Sequence, residues 1–266
     1  MKVNSTGLRL FCIITVNFMQ FTVKKDKDLA FYSFFIRLTQ EKERHSGVFD
    51  FLEVPSNLIE QANQLKSKQL GEYKSRSEQK VWEEINIFFN EFWDKYQSQL
   101  NHLVVLLEDF KKTYSHWLIK NIPKFTSCEW SYDKVIFYPS VLAWAGVSKN
   151  LIRIGISPEH FLKKDLIPVI IHELIHINTE KINLSDLDYQ HDAKEIADTL
   201  IVQEITDSIN KEFGSSFRKL KLAVPFKFYE PDTQKLSELI KDKNFSESVR
   251  LVDNFLLAKN HQEVYK

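Results

Sequence analysis

The chain has 266 residues, 43% of them hydrophobic and 27% charged, a balance that excludes an intrinsically disordered protein. Lys plus Arg and Asp plus Glu stand at 36 each, so no global charge draws the chain to nucleic acid or to an anionic membrane. Phe occurs 21 times and Gly only 6 times, which favours long helices and aromatic cores over a glycine-rich sheet.

From the N-terminus, Lys2 and Arg9 precede an apolar stretch over residues 10–16. Asn17 and Gln20 interrupt it, no small-x-small cleavage site follows, and it is too short to span a bilayer. Residues 8–23 therefore read as one buried strand or two. The expected compartment is cytoplasmic, with secretion through this segment left open, and no membrane helix is expected elsewhere. The two cysteines, Cys12 and Cys128, read as free buried thiols that could pair only in a secreted protein. Residues 24–28 form a charged turn, and residues 29–38 are apolar on every side, so helix and strand both remain open. Gly47 reads as a break, and the run Phe49, Phe51, Leu52, Val54 ends at Pro55.

Residues 56–120 carry apolar residues at spacings of three and four, which predicts two to four long helices opening near Ser56 or Asn57. Trp82, Phe89 and Trp93 widen that face into an aromatic stripe, either a helical core or a surface for a protein partner. Pro123 is expected to close the helical region. A strand follows at Val135–Tyr138, ended by Pro139, then a hairpin-like stretch from Ala143 and a strand at Leu151–Ile156. Asp165 is expected to cap a helix with Pro168 in its first turn, running to about Glu180. After a loop at 183–188, a second long helix spans about 189–213 and stops at Gly214. Residues 219–224 and 226–229, parted by Pro225, and two short helices near 232–242 and 246–259 complete the chain.

The helix expected from Asp165 to about Glu180 contains His172-Glu173-Leu174-Ile175-His176. Residues four apart on a helix share a face one turn apart, so two imidazoles placed this way can share one metal ion. The glutamate beside the first histidine can take a proton from a metal-bound water. Val169, Ile170, Ile171, Leu174, Ile175 and Ile177 make the helix apolar on nearly every side, which implies burial. The same spacing also suits two core histidines held by hydrogen bonds, with Glu173 in solvent.

With the preceding strand-like run Leu151–Ser157, this motif resembles the catalytic core of the zincin metalloproteases, in the gluzincin-like branch. The resemblance covers roughly residues 130–210. It implies zinc held by His172 and His176, Glu173 as general base, and an extended peptide pairing with the edge of the strand at 151–156. A catalytic zinc takes three protein ligands and leaves one position for water, and the resemblance places the third on the helix at 189–213. Glu195, 19 positions after His176, fits the glutamate-ligand branch. His191 is a rival, and so is Glu204, set amid Ala193, Ala197, Leu200 and Ile201 on an apolar face. Asp198, one turn beyond Glu195, is placed to orient His172 or His176. Tyr229, Arg218 and His261 are open candidates for stabilising an oxyanion.

The expected fold is α+β, with a helical N-terminal part over 1–122 and a small zincin-like domain of sheet and helices over 123–266. The expected function is zinc-dependent hydrolysis of peptide bonds in a peptide or protein substrate. The alternatives are a non-enzymatic zincin-like binding protein, and a zinc amidohydrolase acting on a non-peptide amide.

Overall fold

The computed structural model describes residues 19–40, 54–65, 76–142, 145–156, 163–219 and 230–263. Residues 8–18 of the strand or strands expected over 8–23, Cys12, the run at 49–53 and residues 220–229, Tyr229 among them, lie outside these. In chain order the elements are β1 (Gln20–Val23), α1 (Lys27–Gln40), α2 (Ser56–Gln64), α3 (Arg76–Lys95), α4 (Gln97–Thr126), β2 (Lys134–Ser140), β3 (Gly146–Ser148), β4 (Leu151–Gly155), α5 (Lys163–Asn178), α6 (Gln190–Phe213), α7 (Glu230–Ile240) and α8 (Phe245–Glu263). The fold is thus α+β, mainly helical around one small sheet. Among the described residues no helix is long and apolar enough to cross a membrane.

The sheet runs β1-β2-β4-β3, with β1, β2 and β4 parallel and β3 antiparallel to β4. One strand comes from before residue 122 and three from after it, and the position 122/123 falls inside α4. Alternation along β2 assigns the two faces. Phe137 meets Phe21 and Phe110 at ring-centroid distances of 5.4 and 5.8 Å, so odd positions face α4. Tyr138 bonds Ser33 across 2.5 Å, so even positions face α1. Residues paired across a sheet share a face, so Ile152 joins the α4 side and Arg153 the α1 side.

The ambiguous stretch at 29–38 is helical. Phe31, Phe34 and Phe35 of α1 pack on Trp82, Phe88 and Phe89 of α3, so tertiary aromatic contacts decide what periodicity could not. The stripe of α3 is therefore helical core here, with Phe89 and Trp93 buried.

Two prolines expected to end elements do not. Pro123 sits inside α4, which continues to Thr126. The carbonyl that its missing N–H would have bonded belongs to Ile119. That oxygen instead accepts the indole N–H of Trp130 at 2.9 Å. Pro139 lies within β2, its nitrogen facing the β1 side, where β1 has already ended at Val23. A strand tolerates proline where no neighbour needs its N–H.

The strand at 151–156 was open between offering its edge to a peptide, as the resemblance implies, and lying inside the sheet. In the fold β4 is internal, because a two-residue turn at Lys149 and Asn150 folds β3 back along it. Lys149 takes a left-handed φ of 53° to make that turn. The edge beyond β4 therefore belongs to β3.

Candidate metal centre

Two helices build the site. α5 begins at Lys163, so Asp165 lies inside its first turn rather than ahead of it and Pro168 falls in the second. Ile170, Ile171, Leu174, Ile175 and Ile177 are buried, as a helix apolar on every side requires. Its C-terminal end is fixed to α4. The Thr126 hydroxyl donates to Asn178 Oδ1 at 2.5 Å, and Asn178 Nδ2 donates to the Cys128 carbonyl at 3.0 Å.

The chain then turns through buried Leu184 into α6, which stops at Gly214 with φ 61°. α6 is buried on two sides, against α5 and against α8. Asp253 of α8 fixes its start by accepting the Tyr189 amide at 2.7 Å. The register of α6 against α5 is thereby set at the turn that carries Glu195.

The two imidazoles of α5 meet with Nε2 atoms 2.9 Å apart and ring planes nearly perpendicular. Glu195 reaches across from α6, with one carboxylate oxygen 3.4 Å from His172 Nε2 and the other 3.5 Å from His176 Nε2. One ligand atom from each of the three residues falls within 4.8 Å of the others. Among the described residues this is the one group of three or more such side chains so placed.

The rivals for the third position lie elsewhere. His191 is exposed at the start of α6. Glu204 is also exposed, although its surroundings in sequence suggested burial. It stands nine residues after Glu195, which is about half a turn round the helix and hence the opposite face. Partial desolvation at this exposed position, with the carboxylates of Asp242 and Asp207 nearby, pushes its carboxyl up. Arg218 is exposed beyond the end of α6.

Asp198 sits one turn beyond Glu195, fully buried, with Oδ2 3.0 Å from His176 Nδ1. Burial opposes its charge, but the bond from His176 and the charge of Lys194 outweigh it and hold its carboxyl below the usual range. Lys194 was not singled out in the sequence. Its Nζ lies 2.7 Å from Asp198 Oδ2 and 2.7 Å from His176 Nδ1. The signal was present as a lysine four residues before an aspartate on one helix.

His176 Nδ1 therefore faces a donor and an acceptor together, and the tautomer decides which it answers. A metal on Nε2 leaves the proton on Nδ1 and selects the bond to Asp198. His172 is the complement. Its Nδ1 is buried without a hydrogen-bond partner among the described residues. Burial works against a charge on His172, yet the carboxylates of Glu195, Glu173 and Asp198 together raise its pKa.

Glu173 is buried at 8% exposure, so it is not the solvated helix residue that two simple core histidines would leave beside them. Burial pushes its carboxyl up, against the opposing pull of His176, His172 and Arg153.

The donor set fits zinc, which takes imidazole nitrogen and carboxylate oxygen in catalytic sites. Two imidazoles on one tetrahedral zinc hold their nitrogens about 3.3 Å apart, given bonds of about 2.0–2.1 Å. The 2.9 Å contact needs to open by only a few tenths of an ångström.

Comparison of the chain with protein-family models, with curated proteins and with solved structures found no match.

Proposed function

We propose that the chain is a zinc-dependent peptide hydrolase of zincin type, with His172, His176 and Glu195 as metal ligands and Glu173 as general base. The supporting observation is the convergence of the three ligand atoms within 4.8 Å beside a buried carboxylate on the same helix. Zinc, when bound, lowers the pKa of a water and polarises a scissile carbonyl.

The chain's own residues do the rest. Glu173 accepts a proton from the attacking water and passes it to the leaving amine. Asp198 holds His176 in the tautomer that leaves Nε2 bare. Lys194 offsets the charge that Asp198 would otherwise carry alone in the interior. The outer edge of β3 suits an extended peptide, which would add to the sheet as a further strand.

One observation favours a second reading, a metal-free polar core within a binding protein. The Nε2 atoms are at hydrogen-bond distance from each other, and Lys194 satisfies His176 Nδ1 if that nitrogen is bare. Metal analysis of the purified chain separates the two. One zinc per chain, retained in Glu173→Gln while peptide cleavage is lost, is the result expected. Absence of zinc uptake, or cleavage by Glu173→Gln at the unaltered rate, overturns the proposal.

A further inference from the structure

An open recess of about 350 Å³ lies between α1 and the β3–β4 hairpin, beside the sheet edge that suits a peptide. Strand pairing fixes the face on which it opens. Gly146 pairs with Arg153 and Ser148 with Leu151, and Arg153 shares the face on which Tyr138 meets Ser33 of α1. Gly146 and Ser148 therefore lie on the α1 face, and both line the recess. A peptide strand added outside β3 would set alternate side chains on that face, each Cβ about 4.5–5.5 Å from the residue it opposes. Opposite Gly146 no β3 side chain stands in the way, so the peptide side chain can turn inward over the strand.

Two guanidiniums reach this place, and they differ. Arg153 is buried at 6% exposure, donates to the Ala145 carbonyl at 3.3 Å, and feels the buried Glu173 carboxylate of the metal centre. Its charge is engaged inside the protein. Arg37 comes from α1 and is half-buried. Its Nη2 stands 4.0 Å from where a Gly146 Cβ would be, within a side chain's length of a peptide residue opposing Gly146. The recess has no carboxylate in its lining, and Tyr32 and Ser148 add exposed hydroxyls to it.

Charge and shape select the occupant. The planar fork of Arg37 matches a carboxylate, which can take two parallel hydrogen bonds from it. Leu29 and Ile36 give the methylenes of a longer acidic side chain an apolar wall. A lysine or arginine in the same place would meet a like charge. We propose that this recess is a specificity pocket for an acidic side chain of the peptide substrate, glutamate foremost, at the residue opposing Gly146, with Arg37 as the selecting residue. The inference rests on the peptide-hydrolase reading and names the substrate class that the site would take.

The test gives the zinc-loaded full chain a library of fluorogenic peptides in which Glu, Gln, Lys and Leu are exchanged at each position around the scissile bond. One position is expected at which Glu exceeds Gln in kcat/KM by about tenfold, the worth of one charge-assisted pair, with Lys poorest. Arg37→Met should bring the ratio of Glu to Gln near one, and Arg37→Lys should keep part of it, because it retains the charge without the fork. Ser148→Glu sets the chain's own carboxylate in the recess and should also lower the ratio, which keeps the test open if Arg37→Met does not fold. A second arm measures fluorescence anisotropy of the same Glu and Gln peptides on zinc-loaded Glu173→Gln, which reads binding without turnover. A Glu preference in binding that Arg37→Met abolishes, with no cleavage by the unaltered chain, upholds the acidic pocket and overturns the hydrolase reading alone. Equal handling of Glu and Gln at every position, a preference that survives in Arg37→Met, or no binding of any peptide overturns the inference.

Discussion

On the α5 side of the sheet, charges answer one another within a few ångströms. Lys194 meets Asp198, Asp198 meets His176, and Glu195 meets both imidazoles. On the α1 side, Arg37 and Arg153 face one recess whose lining holds only hydroxyls and apolar walls. The first cluster sets the carboxylates of Glu173, Glu195 and Asp198 against Lys194 and two imidazoles, and which nitrogen carries a proton decides its bonds. The second gathers two guanidiniums, and the buried Glu173 carboxylate acts on one of them, Arg153. Unlike charges held close together form an arrangement that a metal or a single proton can adjust.

The largest expected effect separates chemistry from architecture on the α5 side. Glu173→Gln keeps the shape and removes the base. On the proposed reading kcat for peptide cleavage falls by about 10²–10⁴-fold while zinc content stays at one per chain. A variant that loses zinc together with activity would show that Glu173 supports the ligands rather than the proton transfer.

Next is the metal itself. Zinc at about 100 times its dissociation constant should stabilise the fold by about 2.7 kcal/mol, read as a rise in thermal midpoint that a chelator reverses. Glu195→Ala should lose most of that rise, and His191→Ala and Glu204→Ala should keep it. Loss of the rise in His191→Ala instead would move the third ligand to the exposed start of α6.

How much of this was legible differs between the two sides for a physical reason. The motif on α5 follows from helical period, since it depends on residues one turn apart on one element, whereas Glu195 on α6 was legible only through the resemblance to the glutamate-ligand branch of the zincins. Glu204 misled because its neighbours in sequence are apolar, although its own position points the other way. The arginine recess was not legible. It joins Ser33, Arg37, Tyr138, Gly146 and Arg153, and only the register of β2, β4 and β3 brings the last three onto one face. Pro123 and Pro139 misled for a related reason. Each lacks an N–H, and whether that matters depended on Trp130 and on where β1 ends, both distant in sequence.

A smaller effect tests the orienting role on α6. Asp198→Asn keeps the volume but removes the charge that holds His176 Nδ1–H. Zinc affinity, measured by chelator competition, should fall by about 10–100-fold. Unaltered zinc affinity would mean that Lys194, not Asp198, sets the state of His176.

The smallest effect returns to the α1 side. Tyr138→Phe removes one hydroxyl from the pair with Ser33 and should lower unfolding stability by about 1 kcal/mol in urea. Much of that cost is the Ser33 hydroxyl left behind, because Ser33 is only 9% exposed. Adding Ser33→Ala to Tyr138→Phe should therefore cost little more, leaving a coupling energy between the two sites. If the two losses simply add, water already reaches the pair and the recess is wetter than its lining implies. In that case the two guanidiniums are screened from one another, and the contrast between the two sides of the sheet is one of solvent access rather than of charge.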